Sequence, residues 1–123
     1  MRIAVTAQGA DLDSAVDPRF GRCRNFVIVD SDSDGFEAFS NEGVMASGGA
    51  GTQSAQLLAN KGVGAVVTGN VGPNAARALE AAGIKVYAAT SGTVRDALQA
   101  YKEGRLSPVS GATVDSHHGM GRR

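Results

Sequence analysis

The sequence predicts a single α/β domain built on one mixed sheet, and three observations carry that prediction. Short apolar runs at residues 3–7, 26–29, 36–39, 63–67 and 84–88 have the length of strands. Helical patterns separate the last three runs and follow the fifth. A turn containing Asp34-Gly35 joins the second run to the third. Strand–helix–strand connections are right-handed and parallel, so the third, fourth and fifth strands run together. The hairpin reverses the second strand. The first strand reaches the second without a helix, so it opposes it. The expectation is a five-stranded sheet in which only the second strand is reversed, with helices on both faces.

Each element has a local reason. Ile3-Ala4-Val5-Thr6-Ala7 is β-prone and ends at Gln8-Gly9. Residues 8–25 lack a period, and a long irregular connection in a compact domain is more often functional than idle. Phe26–Val29 is the second strand. Ser31-Asp32-Ser33-Asp34-Gly35 is turn chemistry, and Phe36-Glu37-Ala38-Phe39 alternates as a half-buried third strand does. The first helix runs from Gly51 to Asn60 and stops at Lys61-Gly62. Val63-Gly64-Ala65-Val66-Val67 is nearly all apolar, as a strand covered on both faces should be. Pro73 opens the second helix, Gly83 closes it, and Ile84–Ala88 is the fifth strand. Thr93 caps the third helix, with Asp96 at capping-box spacing. Val94, Ala97, Leu98 and Tyr101 form its apolar stripe, and Gly104 ends it. Residues 105–123 show no period, and a mobile tail is expected there.

The bulk numbers narrow the function classes. A length of 123 residues suits one domain. The 12 basic and 12 acidic residues cancel, so no global field draws the chain to nucleic acid or an anionic membrane. Cys23 is the single cysteine and has no internal disulfide partner, which fits a reducing compartment. No stretch is long and apolar enough to span a bilayer, so the expected location is cytoplasmic.

The strand directions bring five loops to one rim: residues 8–14, 17–25, 44–51, 69–74 and 90–93. Open α/β sheets bind ligands at such an edge. In the second loop, Arg19, Arg22 and Arg24 flank Cys23, a set that suits an anion and offers a thiolate to a soft metal. The alternative is solvated arginines around a buried cysteine. In the third loop, Gly48, Gly49 and Gly51 open the first helix, where free N–H groups favour an anion. No Lys follows in Walker spacing, so no nucleotide is expected. In the fourth, Asn70, Gly72 and Asn74 surround the start of the second helix. Both glycine-bearing loops also read as ordinary strand-to-helix connections. His117, His118 and Met120 offer metal ligands in the tail, or are simply tail residues. Asp11, Asp13 and Asp17 are hard-cation candidates, read here as solvated loop acids. There is no G-x-S-x-G, C-x-x-C or H-E-x-x-H, and the first strand carries no carboxylate, so neither a hydrolase nor a nuclease is expected.

Asp17-Pro18-Arg19-Phe20-Gly21-Arg22, Gly48-Gly49-Ala50-Gly51 and Thr68-Gly69-Asn70-Val71-Gly72-Pro73-Asn74-Ala75 together resemble the signature of the dinitrogenase iron–molybdenum-cofactor biosynthesis family, which includes nitrogenase accessory factors and orange proteins. The resemblance spans residues 1–104 and leaves 105–123 outside. It implies a ribonuclease-H-like three-layer fold with sheet order 3-2-1-4-5 and strand 2 antiparallel. It also implies binding rather than turnover: a carrier or scaffold for an anionic molybdenum- or iron-containing sulfide cluster, or for its thiometallate precursor. Orange proteins of the family hold a molybdenum–copper sulfide cluster. The partners so implied are the cluster and a protein that donates or accepts it. The expected cofactor-binding residues are Arg19, Arg22, Cys23, Gly48, Gly49, Gly51, Asn70, Gly72 and Asn74, with Cys23, His117 and His118 as the candidate metal ligands. The competing reading is a small regulatory or interaction module that binds a small anion or a partner protein on the same rim.

Overall fold

A computed structural model of the chain describes residues 1–30, 35–41, 50–89 and 92–109. In chain order the elements are β1 (Arg2–Ala7), β2 (Asn25–Asp30), β3 (Phe36–Ser40), α1 (Ala50–Asn60), β4 (Val63–Thr68), α2 (Pro73–Ala81), β5 (Lys85–Ala88), α3 (Val94–Lys102) and β6 (Pro108–Val109). The sheet order is β3-β2-β1-β4-β5-β6. β2 runs antiparallel to both β1 and β3, while β1–β4 and β4–β5 are parallel. The first five strands therefore take the predicted order and directions.

The sixth strand corrects the expectation. β6 pairs antiparallel with β5, setting Val109 opposite Val86 and Pro108 opposite Tyr87. The sheet thus has two reversed strands, and the segment after Gly104 is tied down at its start. Arg105 N donates to Ala100 O at 2.9 Å, and Ala88 N donates to Ser107 O at 3.2 Å. Two residues are too short to show a period, and a strand proline cannot donate to a ladder, so this edge reads as loop. The rest of the expected tail, residues 110–123, lies outside the described residues, as does most of the predicted 31–35 turn.

Side-chain alternation divides the core into two halves. Ile3, Val5, Val27, Val29, Ala65 and Val67 face α3 and meet Val94, Ala97 and Leu98. Ala4, Phe26, Ile28, Val66 and Val86 face the other way and meet Ala55 and Leu58 of α1 and Ala75 and Leu79 of α2. The result is three layers. The predicted capping box forms: Thr93 Oγ1 accepts from Asp96 N, and Asp96 Oδ2 accepts from Thr93 N, both at 3.1 Å.

Candidate functional site

The rim at the ends of β1 and β4 is tied together by backbone hydrogen bonds. Asp17 N donates to Thr6 O at 2.8 Å, Val16 N to Gly92 O at 3.0 Å, and Val94 N to Ser14 O at 2.9 Å. The arginine-bearing loop meets the loop before α2 directly. Asn70 N donates to Pro18 O at 2.7 Å, and Phe20 N donates to Asn70 O at 3.1 Å. Gly69 permits this contact, because a Cβ there would lie 2.7 Å from Pro18 Cα and 2.8 Å from Pro18 O. Below, the Thr6 hydroxyl donates to Asp17 O at 2.5 Å and accepts from the Thr68 hydroxyl at 2.8 Å, sealing the ends of β1 and β4. Two of the predicted constellations are therefore one surface.

Asp17 is not the solvated loop acid expected. Its side chain is 1% exposed. It accepts from Arg19 N at 3.0 Å, Arg19 Nε at 3.2 Å and Arg19 Nη2 at 3.3 Å. A buried carboxylate demands a partner, and Arg19 supplies one. These hydrogen bonds and the carboxylate charge raise the Arg19 guanidinium above its usual pKa. The charge of Arg19 is thus largely answered from within the fold. Asp11 and Asp13 do stay exposed. Asp11 accepts from Asp13 N and Ser14 Oγ, and Asp13 pairs with Arg95 at 3.2 Å.

Cys23 is fully buried in the α1/α2 half of the core. Burial, with the nearby Asp17 charge adding to it, pushes its thiol up to about 12. In this conformation burial favours the protonated thiol over the thiolate. Its neighbours Arg22 and Arg24 are exposed and have no ion-pair partner among the described residues. They alternate with Cys23, so the cysteine turns inward and the two guanidiniums outward.

The other predicted residues divide. Asn70 bridges to the arginine loop through its backbone and its side chain is exposed. Gly72 is the N-cap of α2, makes no side-chain cap hydrogen bond, and has open space where a Cβ would stand. Asn74 accepts from Arg77 Nη2 at 2.8 Å. Gly51 has a packing role: a Cβ there would lie 2.9 Å from that of Ala75, so its absence lets α1 and α2 approach. Gly48, Gly49, His117, His118 and Met120 lie outside the described residues.

Sequence reasoning missed Asn41. It is fully buried, and its Nδ2 donates to Gly21 O and Cys23 O, both at 3.0 Å. Its Oδ1 accepts from Ser54 Oγ at 3.2 Å, and its backbone N donates to Arg24 O at 2.8 Å. An Asn after a strand reads as a turn residue, and nothing in the pattern marks it as buried.

Among the described residues no three His, Cys, Asp or Glu side chains gather as a metal site. Exposed guanidiniums, on a loop hydrogen-bonded to the connection that leads into α2, suit an anion held from outside its own coordination shell. Three surface hollows lie elsewhere, of about 350, 280 and 420 Å³, and no rim-loop residue lines them. No helix among the described residues is long and apolar enough to cross a membrane.

Comparison with known proteins agrees with this architecture. The apo form of the orange protein from Desulfovibrio gigas is 46% identical, with a TM-score of 0.88 over 91% of this chain and 95% of that one. A Thermotoga protein described as a NifB protein is 39% identical, with a TM-score of 0.80 over 91% of this chain and 96% of that one. An uncharacterized protein of Methanocaldococcus jannaschii is 34% identical over 97 residues, 76% of this chain and 82% of its own length. The family model described as dinitrogenase iron–molybdenum cofactor matches residues 1–104, and the chain belongs to that family.

Proposed function

We propose that this protein is a non-catalytic carrier or scaffold for an anionic metal–sulfur cluster or its thiometallate precursor. Family membership supports a cofactor- or cluster-binding role at the coarse level. The observation that carries this reading is the pair of exposed arginines, Arg22 and Arg24, which have no ion-pair partner among the described residues. They stand on a loop hydrogen-bonded to the connection that leads into α2. The cargo is held by guanidinium and backbone N–H groups around its sulfide or oxo surface. Arg19 contributes hydrogen-bonding capacity more than net charge. Cys23 stays in the core, so capture is electrostatic and needs no thiolate bond. The cargo is a molybdenum-, iron- or molybdenum–copper sulfide species, passed to or from a partner protein in the cytoplasm, where Cys23 remains reduced.

Titration with tetrathiomolybdate, with and without copper, tests this through backbone amide shifts. Shifts are expected at residues 8–14, 19–25, 48–53 and 69–74, and Arg22→Ala should weaken them. Cys23→Ser should leave binding in place. If no anion or cluster perturbs the rim and protein from its native host carries no metal, the carrier reading fails. The small interaction module then replaces it.

A further inference from the structure

We infer that Asn41 is the positioning residue of the rim: it holds the backbone on both sides of Arg22, so that Arg22 and Arg24 meet an anion in a preset arrangement. This inference rests on the binding role proposed above.

The geometry is unusually complete for one side chain. A neutral amide has two N–H donors and one carbonyl acceptor. In Asn41 both donors are used on the arginine loop, at Gly21 O and Cys23 O. Those two carbonyls require donors, which sets the orientation of the amide. The acceptor takes the hydroxyl of Ser54, itself fully buried in α1. The main-chain N of Asn41 holds a third loop carbonyl, that of Arg24. Residues 21, 23 and 24 are thereby bound to the end of β3 and to α1 from the protein interior. Arg22 lies between the two carbonyls held by the side chain. With Cys23 buried, the loop has its inner side fixed and its outer side left for charge.

The fixed loop matters because of what ordering costs. An anion that must first organise two long cationic side chains on a loose loop binds more weakly than one that meets them ready. A buried polar group is otherwise a liability unless every partner is present. Here every partner is present, and three of the four lead to the same four-residue stretch. Arg19 is held separately, by Asp17, so two independent internal groups set the loop on either side of Phe20.

The test is a double-mutant cycle read by tetrathiomolybdate affinity well below the melting transition. Asn41→Ala should weaken binding about tenfold, as lost preorganisation does. Arg22→Ala should then matter much less in the Asn41→Ala protein than in the wild type. The milder Asn41→Ser, which keeps a hydroxyl, should fall between, and it serves if Asn41→Ala does not fold. In the unliganded wild type, backbone order parameters at residues 21–24 should equal those of the strands. A role confined to stability would lower the melting temperature but leave affinity unchanged, and that result overturns the inference. So do additive effects, or a mobile 21–24 loop in the wild type. Wild-type protein whose rim responds to no anion or cluster, tetrathiomolybdate with copper included, and that carries no metal from its native host overturns the carrier reading and this inference with it. Wild-type binding without coupling overturns the positioning role alone.

Discussion

Cys23 and Arg19 show how a residue's neighbours decide its chemistry. The Cys23 thiol, near 9 when unfolded, rises to about 12 in the fold. The folded state therefore holds this proton more tightly. Its contribution to stability is complete below pH 9 and is lost as the pH rises toward 12, by roughly 1.4 kcal/mol per pH unit. Urea midpoints measured across that range should fall, and the Cys23→Ala protein should lose this part of the slope. At pH 8 a thiol reagent should label native protein far more slowly than unfolded protein, and equal rates would contradict the buried thiol. Arg19 makes the complementary point. Because Asp17 answers its charge, Arg19→Ala should weaken anion binding less than Arg22→Ala does. It should also destabilise the fold, since it strands a buried carboxylate. A binding series in which Arg19 outranks Arg22 would reverse the assignment of charge on the rim.

At the level of elements, close approach and capping set the rim's shape. Gly69→Ala would place a methyl against the Pro18 backbone, which cannot yield as a flexible side chain can. Overpacking of this kind costs about 1–3 kcal/mol, and chemical unfolding should show it, with amide shifts spreading through residues 17–20. Thr93→Ala, which opens the capping box of α3, should cost about 1 kcal/mol with the rim shifts confined to the 92–95 side. These elements also show what a sequence discloses. Thr93 with Asp96, Pro73, Gly83 and the short apolar runs of β1, β2 and β4 each act locally, so their elements could be read from residue order alone. β6 could not, because its reason for existing is the edge of β5, a partner distant in the chain. Asp17 and Asn41 were illegible for the same reason. Their burial is conferred by Thr6, Arg19, Cys23 and Ser54, which only the folded chain brings together. The arginine cluster was legible as a cluster. Which of its members carries unanswered charge was not.

For the whole molecule, the order β3-β2-β1-β4-β5 forms the frame and β6 is an addition at its edge. A chain ended after Gly104 should keep that frame while exposing the outer edge of β5 at Val86 and Tyr87. A loss of about 1–2 kcal/mol is the expected scale, with the rim's anion response unchanged. Loss of the response on truncation would mean that the two ends of the sheet communicate. The Asn41 network has a separate consequence for how such a protein can change over time. A loop shaped entirely from its inner surface leaves its outer surface free to vary. Arg22 and Arg24 are then interchangeable parts. Replacing both with glutamate should convert an anion-attracting rim into a cation-attracting one while the melting temperature barely moves. One scaffold would thus serve unrelated cargoes through two codons, and kinship of fold would say little about what any one member carries.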